Sequence, residues 1–140
     1  MTRAALFVPA LLLAACSVTA SRHTVYANAP APADALECVE RSARALGYAA
    51  TSEGLPLNQI RLERDVTGPL NETRRTWLQI DAVVDEARTL RLFGERWERE
   101  MLGNVRGSKR TPGTTVRSEV LSIAESCGGR AAEQGGVAGG

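Results

Sequence analysis

Between Trp77 and Leu92 the chain repeats with a period of two, the pattern that most restricts its fold. Leu78, Ile80, Ala82 and Val84 alternate with Trp77, Gln79, Asp81 and Val83, and Leu90 and Leu92 resume the same apolar phase after a polar turn at Asp85 to Arg88. Side chains on a strand point alternately to its two faces, so this segment forms a strand with one apolar face. The short turn folds the second strand back as an antiparallel hairpin. A third strand is expected where Ile60, Leu62 and Val66 alternate with Arg61, Glu63 and Asp65, and a short one at Tyr48 to Thr51. Glu95 to Glu100, charged around Trp97, is compatible with strand or helix, and Gly103 to Thr115 reads as a long loop.

Helical periods flank these strands. Leu36, Val39, Ala43 and Leu46 recur at intervals of three and four, after Asp34 and Glu37 at capping-box spacing. Gly47 stands where a helix stops, and Tyr48 can fold back on its last turn. Val116, Val120, Ile123 and Cys127 mark a second helix, capped by Thr114 or Thr115 and ended by Gly128. The expected fold is α+β: a two-layer sandwich of two terminal helices on one face of a three- or four-stranded antiparallel sheet, spanning residues 34–127.

The N-terminal segment is of another kind. After Met1-Thr2-Arg3, residues 4–15 are apolar apart from Pro9. About a dozen such residues cover roughly 18 Å as a helix, too short to cross a bilayer core of ~30 Å. Residues 1–15 therefore read as a signal peptide. Leu13-Ala14-Ala15-Cys16 resembles the lipobox of bacterial lipoproteins, where cleavage exposes a cysteine that is diacylated on sulfur. The resemblance covers only the first sixteen residues. It implies that Cys16 is acylated, that the protein is anchored in the cell envelope, and, from Ser17, that it lies on the outer membrane facing the periplasm. The competing reading is an ordinary secretory signal cut at a site such as Ala20. Residues 16–33, rich in Ser, Thr, Asn, Ala and Pro, read as the lipidated cysteine and a flexible tether; residues 128–140 read as a disordered Gly/Ala-rich tail.

Once the resemblance assigns Cys16 to lipid, Cys38 and Cys127 remain as an even pair in an oxidising compartment, and a disulfide is expected between them. A redox pair or zinc site does not fit cysteines so far apart, with His23 the only histidine. Sixteen of the seventeen basic residues are arginine, but the net charge of +1 argues against a nucleic-acid partner. Arg106, Lys109 and Arg110 form a small basic cluster in the Gly-rich loop. Asp81, Asp85 and Glu86 are candidates for an acid pair or calcium site, but Asp81 points outward on a strand, Asp85 and Glu86 sit at a turn where carboxylates are normally solvated, and no nucleophile motif accompanies them. No catalytic residue, metal or cofactor is expected.

If the helices cover the Leu78/Ile80/Leu90/Leu92 phase, the opposite face presents Trp77, Val83 and Phe93, together with Trp97. This is a candidate partner surface, since aromatic residues make good interface anchors. It would instead be ordinary core if a β-bulge at Gly94 shifted the phase, or if the loop after Met101 folded over it. The expected function is that of a non-catalytic, lipid-anchored envelope protein that binds or scaffolds another envelope component, with membrane attachment through Cys16. The alternative is a periplasmic small-ligand or lipid-binding module.

Overall fold

The computed structural model describes residues 18–20, 24–51, 53–102 and 106–129. Residues 1–17, which include the expected signal peptide and Cys16, and residues 130–140 of the expected tail lie outside the described residues. The elements are strands β1 (Val18–Ala20) and β2 (Val25–Pro30), helix α1 (Ala35–Ala45), strands β3 (Ala49–Ala50), β4 (Gln59–Asp65), β5 (Arg74–Val84), β6 (Thr89–Glu100) and β7 (Ser108–Arg110), and helix α2 (Thr114–Cys127). All strands pair antiparallel in one sheet of order β1-β2-β6-β5-β4-β3, with β7 also on β6.

The α+β architecture is as expected, but among the described residues the sheet has seven strands rather than three or four. Two of the additional strands lie in the segment read as a tether. In β2, Val25, Ala27 and Ala29 are buried and alternate with half-exposed Tyr26 and Asn28. Small residues there imitate linker composition, yet their period of two is that of a strand, and they leave room for α2 to pack above. Gly129, within the segment read as a tail, donates to the Pro30 carbonyl at 2.7 Å. Residues 95–100 continue β6, and β7 occupies part of the expected loop.

Helix α1 terminates as its sequence dictates. The Gly47 amide donates to Arg44 and the Tyr48 amide to Ala43, with Gly47 at φ +90°, the Schellman arrangement. Its start differs: Asp34 stands at the N-cap without a side-chain capping bond. In α2 the N-cap is Gly113, so the threonines proposed as caps lie just beyond it.

Both helices rest on one face of the sheet. Val39 and Ala43 of α1, and Val116, Val120 and Ile123 of α2, are buried with Ile60, Leu62, Leu78, Ile80, Ala82, Leu90 and Leu92. Cys38 and Cys127 are joined by a disulfide, with Cα atoms 5.5 Å apart, which staples the helices together. A polar clamp ties α2 to the sheet. Glu119 receives Arg64 Nη2 at 2.9 Å and the Tyr48 hydroxyl at 2.6 Å, while the Arg64 guanidinium lies 4.6 Å from the centre of the Tyr48 ring.

Burial, and then the bond to the Glu119 carboxylate, push the Tyr48 phenol well above its ordinary value. A folded-state value above the unfolded one means the contribution is intact below about pH 10 and is lost as the pH rises further. Tyr48→Phe is expected to cost about 1 kcal/mol at neutral pH and to flatten the alkaline fall in stability, read from denaturant midpoints across pH 8 to 11. An unchanged alkaline slope would show that Tyr48 is not the group responsible.

Candidate functional site

Because β5 and β6 pair without interruption from Arg74↔Glu100 to Val84↔Leu90, outward residues stand in rows across the sheet. Trp77 faces Trp97, Gln79 faces Glu95, Asp81 faces Phe93, and Val83 faces Arg91. Successive rows on one face are about 7 Å apart. Gly94 pairs with Ile80 on one side and Val25 on the other, so no bulge shifts the phase. Trp77, Val83, Phe93 and Trp97 therefore all lie on the face away from the helices, and all are half-buried.

They do not form one apolar patch. The Trp77 and Trp97 rings are stacked, 9° from parallel with centroids 6.0 Å apart, and a cation attends each: Arg75 at 5.3 Å from the Trp77 ring and Lys109 at 5.5 Å from the Trp97 ring. The next row is ionic. Glu95, only 7% exposed, accepts from Trp97 Nε1 at 2.9 Å and Lys109 Nζ at 2.6 Å, and also receives the Thr24 hydroxyl. Beyond it, Arg61 grips Asp81 through both carboxylate oxygens, at 2.7 and 3.2 Å, and Gln79 adds a bond at 2.9 Å. Phe93 then packs against Tyr26 of β2, centroid to centroid 5.1 Å.

This banding follows from strand geometry. Sequence reasoning placed the aromatics correctly on one phase but missed Arg61, Glu95, Lys109 and Tyr26. Arg61 and Glu95 were legible as outward neighbours in register; Lys109 and Tyr26 were hidden in segments read as loop and tether. An open cleft of about 390 Å³ lies among Arg61, Trp77, Gln79, Asp81, Glu95, Trp97 and Lys109. Its shape owes something to Gly107: a β-carbon there would stand 2.8 Å from Trp77 Cη2 and 3.4 Å from Trp97 Cε3. The chain entering β7 thus lies close against the tryptophan pair, and part of the expected fold-over does occur. Trp77 Nε1 is buried and has no acceptor among the described residues.

Other candidate groups are dispersed. Lys109 pairs with Glu95 and Arg110 with Glu98, so two members of the basic cluster are neutralised locally. Asp81 is engaged by Arg61, whereas Asp85 caps the β5-β6 hairpin, receiving the Thr89 amide at 2.9 Å and Arg91 Nη2 at 2.9 Å. The two do not act as a pair, and no group of three potential metal ligands occurs among the described residues.

The Thr89 amide, and after it Arg91, hold the Asp85 carboxyl below its ordinary value. Since the folded value is the lower one, this contribution is present above about pH 4 and is lost as the pH falls through the folded value. Asp85→Asn is expected to lower the melting temperature at neutral pH and to reduce its decline below pH 4. Equal losses at every pH would show that the carboxylate charge is irrelevant.

No known protein family matches the chain, and no curated protein or solved structure matches it either.

Proposed function

We propose that this is a non-catalytic, lipid-anchored envelope protein whose outer sheet face docks another envelope protein. The observation that carries this reading is the half-exposed face itself. Stacked Trp77 and Trp97 are bounded by Lys109, Glu95, Arg61 and Asp81, with no described helix laid across them. Interface centres combine aromatic anchors with arginine and with polar groups that fix register. The lipobox-like Leu13-Ala14-Ala15-Cys16 supplies the localisation, and two or more acyl chains on Cys16 would make anchoring stable without help from the fold.

A photo-cross-linking residue replacing Val83, beside the aromatic rows, is expected to capture a discrete partner in the native envelope. The same residue at Glu125, on the exposed side of α2, is not. Capture should weaken about tenfold or more when Trp97→Ala removes an anchor. Equal capture from both positions, or none from Val83, would overturn the docking reading. Palmitate labelling that persists in Cys16→Ser would overturn the anchor.

The alternative of a small-ligand module is favoured by the volume of the outer cleft, about 390 Å³, which falls within the range of small-molecule sites. Saturable binding of a soluble envelope metabolite, lost in Trp77→Ala and Asp81→Ala, would select it.

A further inference from the structure

The position of β1 changes how an anchored domain would sit. Val18 opens the strand only two residues beyond Cys16, and it pairs with Ala27. Because β1 runs antiparallel to β2, its first residue points toward the end of β2 at Pro30, which pairs with Thr89 beside the Asp85–Arg88 turn. Two residues reach at most about 7 Å, where a tether of seventeen extended residues would reach ~50 Å.

The same end of the sheet carries an apolar projection. Asn58 and Val84 exchange backbone and side-chain hydrogen bonds there, and the preceding Leu57 is fully exposed, next to exposed Pro56. Arg88, also exposed, stands at the tip of the neighbouring hairpin with φ 59°. From β1 to β4 the sheet is four strand spacings wide, about 19 Å, so lipid and Leu57 would touch a flat surface at two separated points. The opposite end has exposed Leu70, Met101 and Leu102, but it lies about 36 Å away along β6. Chain exit therefore distinguishes two ends that apolar exposure alone does not.

Resting on the reading that Cys16 is acylated, we infer that the Leu57/Arg88 end of the domain is a membrane-contacting surface and that the domain rides directly on the phospholipid layer. The contact is apolar rather than charge-driven: Asp34, Glu37, Asp85 and Glu86 line the same end and offset Arg88. A zwitterionic phospholipid surface is the matching partner. A leucine held beside the bilayer by a lipid needs little affinity of its own, because the anchor supplies a high local concentration of membrane.

The test uses the full acylated protein in phosphatidylcholine vesicles, carrying an environment-sensitive fluorophore on a cysteine at Leu57→Cys or Leu70→Cys. The fluorophore at position 57 is expected to shift to the blue and to show roughly half the iodide quenching seen at 70, or less. Inserting about twenty Gly/Ser residues between Ser17 and Val18 should abolish the difference. Equal quenching at both positions, or shielding of 70 in place of 57, would overturn the inference while palmitate labelling of the same samples upholds the anchor. Unlabelled Cys16 would overturn both.

Discussion

Replacing Cys38 and Cys127 together by alanine is expected to cost about 4 kcal/mol of stability and to lower Tm by roughly 15 °C or more. The bridge closes a separation of 89 residues, enclosing every element from α1 to α2. In the chain-entropy description, opening so long a loop returns roughly 4 to 5 kcal/mol of loop-closure entropy to the unfolded chain, while the native contacts change little. Alanine is the suitable replacement because Cys127 is 2% exposed and a serine would bury its hydroxyl there. Guanidinium unfolding of the oxidised protein and the double variant checks the expectation. A loss under about 1 kcal/mol would mean that strain in the folded state offsets the entropic gain.

Gly94→Val is expected to destabilise by about 3 kcal/mol or more, although valine is the better strand former. Gly94 lies where α2 crosses β6, and a β-carbon there would stand 2.6 Å from Val120 Cγ2 and 3.1 Å from Val116 Cγ2. Valine on a helix is nearly confined to one rotamer, so the clash cannot be relieved by a side-chain turn. The helix must lift, and lifting it opens the packing over Leu92 and Ile80. A double-mutant cycle separates this cause from any other. Gly94→Ala is expected to be rescued in part by Val120→Ala, with a favourable coupling of about 1 kcal/mol, whereas independent losses would show that helix approach is not the reason for glycine.

Gly94 also shows how far a sequence can be read. The alternation on either side of it suggested only a possible β-bulge. The continuous register excludes the bulge, and the two valines above Gly94 show that close approach of the helix is what requires glycine. The hairpin of β5 and β6, the phases of Trp77 and Phe93, both helices and the Cys38–Cys127 pair were legible, because each depends on local periodicity or on counting. The segment 18–30 was not. Its Ala, Asn and Pro composition is that of a linker, and the β-pairing that makes it a strand is supplied by β6, roughly sixty residues later. The candidate site divides in the same way: the tryptophans could be assigned to a face, but Lys109 reaches Glu95 only because β7 pairs with β6 beyond the end of β2.

The amino-acid order alone determined the α+β class, the apolar face of the hairpin, the helix stop at Gly47 and the partnership of the two downstream cysteines. The first three are short-range patterns in which the side chain and the backbone period carry the information together, and the cysteine pair follows from counting once Cys16 is assigned to lipid. Tertiary structure alone decided the breadth of the sheet, the ionic bands that divide the aromatic face, and the absence of slack between Val18 and the body of the domain. Those depend on register between distant strands, where hydrogen bonding is the same for every sequence and the choice of neighbour is made by packing against the whole core.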